Sequence, residues 1–180
     1  MKIATVALLA IFLVGIVLVS GCLSSEESTS TSNSGQSGSD TTMNLKIGET
    51  AQTTKREVTV YSVQKSSTYT WRGSSSGNIY TETAPPGKIY IMANVQVKNI
   101  GSDSLYASGG DFSIADSNGF KYDQSYASID NEFHSQELFP NQRTSGIVMF
   151  EVPINATNLK LVYDFGSFGS VKLAIWSLPV

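Results

Sequence analysis

The sequence contains few of the residues on which several common kinds of protein site depend. Its 180 residues include one cysteine and one histidine. A single thiol cannot form an intrachain disulfide, and a zinc site would need several cysteine or histidine ligands. Charged residues make up only 15% of the chain and the net charge is -3, which disfavours a nucleic-acid partner. We therefore expect neither a cofactor nor a nucleic-acid partner.

Long apolar runs are also scarce, and the one that exists lies at the N-terminus. Lys2 precedes about 17 mostly apolar residues, Ile3 to Val19, slightly fewer than the roughly 20 that span a bilayer. The small residues Ser20 and Gly21 then precede Cys22, the only cysteine. This order resembles the lipobox of prokaryotic lipoproteins, in which the peptidase requires small side chains before the modified cysteine.

These features predict a lipoprotein signal peptide over residues 1–21 and lipidation of Cys22. Two alternatives remain open: an uncleaved membrane anchor with an incidental cysteine, and a simple cleaved secretory signal. Two acyl chains on a modified cysteine would give stable anchoring, whereas one chain binds only marginally. We expect a cell-membrane protein, lipid-anchored on the extracytoplasmic face, with the membrane as its first partner.

A tether and one domain are predicted to follow. Residues 22–42 are rich in serine and threonine and contain almost nothing apolar, so they are predicted to be a flexible tether with a reach of about 25 Å. Residues 43–180 have the size of a single globular domain. Removing residues 1–21 deletes only Lys2 among the charged residues, which leaves a mildly acidic mature chain.

Alternation of apolar and polar residues predicts that this domain is all-β. The clearest strand carries Ile89, Ile91, Ala93, Val95 and Val97 on one face, which indicates an antiparallel strand buried on one side. In another strand, Val148 and Phe150 are expected to share a core-facing side. Asp116-Ser117-Asn118-Gly119 is typical of a hairpin turn. Strands are predicted over residues 56–63, 89–97, 112–115, 120–122, 144–152, 159–163 and 171–178.

About 7–9 strands separated by turns predict a two-sheet sandwich. The order of several motifs also resembles one family: the 90–98 strand closing in Asn99-Ile100-Gly101, then residues 116–122, then Leu138-Phe139-Pro140, then residues 146–153. This is the immunoglobulin-like domain of unknown function of bacterial and archaeal lipoproteins, similar in fold to a mycobacterial immunoprotective extracellular protein. The resemblance implies an immunoglobulin-like β-sandwich without a known catalytic site. Asn141 stands where the family usually has glycine, a mild change because asparagine also adopts left-handed backbone conformations.

Catalytic patterns are weak, so we do not expect an enzyme. The nucleophile-elbow pattern is matched by Gly73-Ser74-Ser75-Ser76-Gly77 in residue types. A true elbow also joins a strand to a helix, and this segment lies in a serine- and glycine-rich loop. Any Ser-His-Asp arrangement would have to use His134, the sole histidine, and a surface position is the simpler interpretation of that residue. A hydrolase using His134 remains the less favoured alternative.

The sequence offers weak patterns for a calcium site and for a glycosylation site. Calcium needs only oxygen ligands, and Asp111, Asp116 and Asp123 are its weak candidates, although their spacing is not that of an EF-hand. Asn155-Ala156-Thr157 is a possible glycosylation sequon in an expected loop. Neither pattern is specific enough to assign a metal or a sugar.

The best candidate for recognition is the long segment between the first two strong strands. It carries Tyr69, Trp71, Arg72 and Tyr80, residue types that are common in interface hot spots and sugar platforms. The competing interpretation is a hairpin extension that packs its aromatic residues on the sheet. We expect a non-catalytic binding or surface-structural domain with a protein or glycan partner at the cell surface. The alternative is a domain that binds a small ligand or calcium.

Overall fold

Strands are present at all seven predicted positions in the structure, a computed structural model that describes residues 41–166 and 171–180. These residues contain thirteen strands, one 3-10 turn (Gly109–Asp111) and no α-helix. The strands are β1 (Thr41–Leu45), β2 (Thr50–Gln52), β3 (Arg56–Ser66), β4 (Thr68–Arg72), β5 (Ile79–Thr83), β6 (Lys88–Asn99), β7 (Leu105–Ala107), β8 (Phe112–Ala115), β9 (Lys121–Asp123), β10 (Gln136–Leu138), β11 (Arg143–Pro153), β12 (Lys160–Asp164) and β13 (Val171–Ser177).

Two larger sheets form an immunoglobulin-like sandwich, as predicted. One has five strands in the order β1-β13-β12-β8-β9, and the other has four in the order β11-β6-β3-β2. The strands pair antiparallel except β1 and β13, which run parallel and so depart from the purely antiparallel prediction. The strand number exceeds the predicted 7–9 because β7 with β10 and β4 with β5 form two further small sheets.

The main core lies between the two larger sheets. Val148 and Phe150 of β11 are fully buried on the same face, which confirms the predicted register. Phe112 makes edge-to-face contacts with Tyr163 and with Phe133, at ring-centroid distances of 4.7 and 5.9 Å. Such pairs contribute about 0.5–1.5 kcal/mol each beyond the burial of their area. The fully buried side chains with the largest volumes include Trp176, Tyr163, Phe112, Phe150, Ile91, Ile114 and Leu161.

A second hydrophobic cluster covers the outer face of the four-stranded sheet. Tyr90, Met92 and Met149 are buried there against Tyr69 of β4 and against side chains of the 127–129 segment. The prediction that β6 is buried on one side only is therefore wrong for Tyr90 and Met92. The physical reason is that other segments of the chain cross this face and remove it from water.

β1 includes Thr41 and Thr42, the last two residues of the predicted tether. The predicted signal peptide, Cys22 and residues 23–40 of the predicted tether lie outside the described residues. In residues 41–166 and 171–180, no helix is long and apolar enough to cross a bilayer.

Asn141 adopts the left-handed backbone conformation that was expected of it. Asn141 has a φ of 68°, the left-handed conformation that also suits the glycine usual at this position. Its backbone N–H donates to the carbonyl of Asn99 at 3.0 Å. The fully buried Asn99 thus joins the end of β6 to the loop that precedes β11.

Candidate functional site

The four candidate binding residues lie on a hairpin formed by β4 and β5. Its turn is the Gly73–Gly77 segment, closed by a bond from the Gly77 N–H to the Gly73 carbonyl at 2.8 Å. A strand follows this turn, so the sequence pattern does not have the strand-to-helix geometry of a nucleophile elbow. A Cβ at Gly73 would lie 2.8 Å from the Ser76 hydroxyl and 2.9 Å from the ring of Tyr80, so a larger residue here would displace these side chains.

The structure brings three of the four candidate residues together. Trp71 and Tyr80 are opposite each other in the ladder, and their rings stack at 4.6 Å with an interplanar angle of 20°. Tyr69 lies on the same face and packs edge-to-face on Tyr90 at 5.1 Å. Arg72 projects from the opposite face by the strand period of two, and its guanidinium donates to the Gly77 carbonyl. The aromatic residues therefore hold the hairpin on the sheet as well as offering part of the Tyr80 ring to solvent.

A groove on the five-stranded sheet is a second candidate, and no sequence pattern identified it. It has a cavity volume of about 710 Å³, within the range of small-molecule sites. Phe120, Val162, Phe165 and Leu173 supply apolar walls. The polar side chains that line it include Arg56, Asp111, Lys121 and Asp164. This combination of apolar walls with a few charged groups suits a ligand that is partly apolar and partly polar.

A network of three side chains joins the groove to the core. The Arg56 guanidinium donates to the Tyr163 hydroxyl at 2.6 Å, and that hydroxyl donates to the Asp111 carboxylate at 3.3 Å. Burial raises the pKa of Asp111 above its ordinary value, although the Ser108 N–H and the Arg56 charge act in the opposite direction. Burial also raises the pKa of Tyr163 well above its ordinary value. The tyrosine therefore stays protonated at neutral pH and can bridge the two charged groups.

The three calcium candidates lie in different local environments and already have protein partners. Asp111 belongs to the network with Arg56, and Asp123 pairs with Lys121 at 3.1 Å. Asp116 accepts the N–H groups of the following turn and the hydroxyl of Tyr122. Although desolvation opposes the change, these bonds lower the pKa of Asp116. Within the described ranges, no three His, Cys, Asp or Glu residues are grouped so that they could hold a metal.

Asp116 instead stabilises the hairpin that was predicted at residues 116–119. Its Oδ1 accepts from the N–H groups of Asn118 and Phe120 at 2.8 and 2.9 Å. Gly119 has a φ of 83°, which is favourable for glycine at such a turn. The hairpin between β8 and β9 is therefore confirmed, and the acidic residue has a structural role in it.

His134 and Asn155 are both exposed. Across the part of the chain that the structure describes, the His134 imidazole has no hydrogen-bonded hydroxyl or carboxylate, and its backbone carbonyl accepts from Thr144 at 3.4 Å. Asn155 lies in the turn after β11, which confirms the expected loop. The hydroxyl of Thr157 is already hydrogen-bonded to that of Ser117 at 3.0 Å. Glycosylation at Asn155 stays a prediction.

The groove escaped sequence-based detection because five segments of the chain contribute to it. Arg56 begins β3, Asp111 ends the 3-10 turn, and the apolar walls come from the β8–β9 hairpin, β12 and β13. Two residues of the groove carried a weak signal in the sequence: Asp111, which was a calcium candidate, and Phe120, a large apolar residue directly after the 116–119 hairpin turn. Phe120 is 63% exposed in the structure.

Comparisons with solved structures support the fold. The "putative lipoprotein (ycdA)" of Bacillus subtilis is 15% identical with a TM-score of 0.55, over 74% of this chain and 38% of the other. This chain thus spans well under half of that protein. The secreted protein MPT63 of Mycobacterium tuberculosis is 14% identical with a TM-score of 0.54, over 77% of this chain and 99% of the other.

A further similar structure is the yjhA protein of Bacillus subtilis, 19% identical with a TM-score of 0.53, over 74% of this chain and 98% of the other. No curated protein matches the sequence. The family model described as "Domain of unknown function (DUF4352)" matches residues 45–173, which include both the hairpin and the groove. The chain therefore belongs to the DUF4352 family, as the resemblance in its motifs predicted.

Proposed function

We propose that this chain is a lipid-anchored extracytoplasmic protein whose immunoglobulin-like domain binds a small amphipathic molecule without transforming it. The groove on the five-stranded sheet is the observation that carries the proposal. Its volume of about 710 Å³ suits a small ligand, and its walls combine Phe120, Phe165 and Leu173 with the half-buried pair Arg56 and Asp111. Similar folds described as a "putative lipoprotein" and as a "secreted protein" support the location.

The non-catalytic part of the proposal rests on the surroundings of the candidate catalytic residues. General acid–base chemistry needs a titratable group within hydrogen-bond reach of its partner. In the described residues, the imidazole of His134 has no such partner, and the 73–77 segment is a hairpin turn. Asp111 is partly buried, and its carboxylate is held by the Tyr163 hydroxyl beside the Arg56 guanidinium.

Binding can be tested with 1-anilinonaphthalene-8-sulfonate, a fluorescent probe with an apolar body and one negative charge. Leu173→Glu places a carboxylate on the apolar wall, so we expect at least a tenfold loss of probe affinity, or about 1.4 kcal/mol. The measurement is a fluorescence titration of the full chain in lipid nanodiscs, with the signal of empty nanodiscs subtracted at each probe concentration.

Ile154→Glu is the matched control for that titration. Ile154 is 59% exposed and does not line the groove, so the same substitution there should leave probe binding unchanged. Equal affinities of the two variants and the parent chain would show that the probe does not use the groove and would count against this site.

Anchoring can be tested separately with Cys22→Ser. Because the modified cysteine would carry the acyl chains, we expect the parent chain in the membrane fraction and the variant in the soluble fraction. The melting temperature of the domain should not change. A variant that remains in the membrane fraction would instead support an uncleaved anchor over residues 3–19.

The β4–β5 hairpin favours a second candidate function, recognition of a protein or glycan at the cell surface. Tyr80 is 41% exposed beside Trp71, an arrangement that can present an aromatic ring to a partner. Tyr80→Ala should leave binding of the small probe unchanged while removing this aromatic surface. The two candidate sites can therefore be examined independently.

A further inference from the structure

The outer edge of β5 is an accessible strand edge on the described part of the protein. β4 and β5 form a two-stranded sheet of their own, and all five residues of β5 are exposed. Ile79 is 65% exposed, although it is a large apolar residue. A strand in this position can pair with another extended chain.

The hydrogen-bond pattern shows which backbone groups of β5 point outward. The Gly73 N–H donates to the Asn78 carbonyl at one end of the ladder, and the Ala84 N–H donates to the Ser67 carbonyl at the other. Residue pairs in an antiparallel ladder alternate between hydrogen-bonded and non-hydrogen-bonded positions. The backbone N–H and C=O groups of Tyr80 and Glu82 therefore point toward β4. The N–H and C=O groups of Ile79, Thr81 and Thr83 must therefore point away from β4.

An independent contact confirms this alternation on the other strand. Arg72 pairs with Ile79 in a non-bonded position, so its N–H should also point out of the hairpin. The Asp130 carboxylate accepts this N–H at 3.1 Å. In the described ranges, no corresponding group bonds the outward N–H or C=O of Ile79, Thr81 or Thr83.

β5 lacks several of the features that usually protect a strand edge, although it carries one charged residue, Glu82. Its five residues, Ile79–Thr83, contain no proline and no lysine, and its pairing with β4 has no bulge. Isoleucine, tyrosine and threonine are instead among the residues that favour strands. Edge strands without protection are templates for pairing with another chain.

We propose that β5 pairs antiparallel with β5 of a second copy of this chain, about a twofold axis at Thr81. In that register Thr81 lies opposite Thr81 of the second copy, and Ile79 lies opposite its Thr83. The three pairs of outward groups supply about six backbone hydrogen bonds, because each bonded pair exchanges two. Tyr80 then faces the only charged residue of the strand, Glu82 of the second copy.

Charge and chain geometry select this register over its neighbours. Moving the axis by one residue toward the C-terminus would place Glu82 opposite Glu82, and like charges directly opposite are destabilising. Moving it toward the N-terminus would bring Gly77 of the turn into the ladder. Only the axis at Thr81 pairs all five residues of β5 with no like charges opposite.

The size of this contact indicates where pairing would occur. A five-residue ladder buries less surface than the roughly 1,200 Å² of a stable interface, so association in solution should be weak. Copies held on one membrane surface have a much higher effective concentration. The pairing does not involve the groove, and its failure would leave the proposed ligand binding unaffected.

Cross-linking of the full chain in lipid vesicles tests the register. Residues opposite each other in a bonded pair have Cα atoms about 5.5 Å apart, within disulfide range. We expect mild oxidation to convert Thr81→Cys into covalent dimers at least tenfold more than Thr70→Cys. Thr70 lies opposite Thr81 within the hairpin, one strand farther from the axis, and native Cys22 is common to both variants. Equal cross-linking, or none at Thr81→Cys, would overturn the proposal.

A second pair of variants tests the hydrogen bonds themselves. Thr81→Pro removes an outward N–H at the centre of the contact, whereas Thr70→Pro removes an outward N–H from β4. Energy transfer between donor- and acceptor-labelled copies in vesicles should fall at least fivefold for Thr81→Pro and remain at the parent level for Thr70→Pro. Unchanged transfer for Thr81→Pro would overturn the pairing.

Discussion

Gly146→Ala is expected to destabilise the domain by about 3 kcal/mol, which lowers the melting temperature by about 10 °C. A Cβ at Gly146 would lie 2.6 Å from the backbone N of Phe133 and 2.7 Å from the carbonyl of Glu132. These are backbone atoms, so no side-chain rotation relieves the clash. The segment must move away from β11.

That movement would weaken the contacts that hold the 131–133 segment in place. The Phe133 N–H donates to the Ile147 carbonyl at 3.0 Å, and the Ile147 N–H donates to the Asn131 carbonyl at 2.8 Å. Phe133 is only 2% exposed and packs on Phe112 in the main core. Loss of a buried phenylalanine side chain from a core costs several kcal/mol, so even partial displacement of Phe133 should lower the free energy of unfolding.

Gly110→Ala is the control for this measurement. A Cβ at Gly110 would meet only the Ser108 hydroxyl, at 3.3 Å, and the residue is exposed. Thermal unfolding of the detergent-solubilised full chain, followed by near-ultraviolet circular dichroism, should show a small change for this variant. Equal melting temperatures for the two variants would mean that the 131–133 segment adapts freely and would contradict the prediction.

Asn99→Asp is expected to be comparably destabilising, by about 3 kcal/mol at neutral pH. The Asn99 amide nitrogen donates to the carbonyls of Asp103 and Leu138 at 2.8 and 2.9 Å. Its oxygen accepts the Gly101 N–H at 2.9 Å. The substitution keeps the shape but replaces the donor with an acceptor that faces two carbonyl oxygens in a fully buried site.

The pH dependence of this variant follows from the same geometry. Burial beside carbonyl oxygens raises the pKa of the introduced carboxyl in the folded state above its unfolded value of about 3.9. The folded state then binds more protons than the unfolded state above about pH 4, so the loss of stability should grow as the pH rises and shrink as it falls.

Asn94→Asp provides the matched control on the same strand. Asn94 is exposed, so the carboxylate introduced by Asn94→Asp remains in water. The stability of this variant should therefore follow that of the parent chain. Urea unfolding at pH 4 and pH 7 measures the free energy of unfolding of each variant relative to the parent chain. A loss of stability for Asn99→Asp that is the same at both pH values would contradict the buried-charge explanation.

Local patterns in the sequence were sufficient to predict much of the sandwich. The period of two in β6 and β11 correctly placed Val95 and Val148 in the core, because a strand buries one face at a time. The turn residues of the β8–β9 hairpin were equally informative. Short-range rules work where a side chain's environment depends on its immediate neighbours in the chain.

The same rules failed where distant segments share a surface. Met92 was expected on an exposed face, but the 127–129 segment and the hairpin cover it. Arg72 was grouped with the aromatic residues, whereas the register of the hairpin places it on the opposite face. Pairing register depends on the whole turn, and a change of one residue reverses every side chain.

The sequence by itself determined the fold class and the family, because alternation, turn chemistry and motif order are all encoded locally. It also supplied the prediction of a lipid anchor at Cys22. Only the tertiary structure placed Arg56, Asp111 and Leu173 around one groove and left the edge of β5 unpaired within the described residues. Both features depend on how separate segments pack together, and no local pattern specifies that packing.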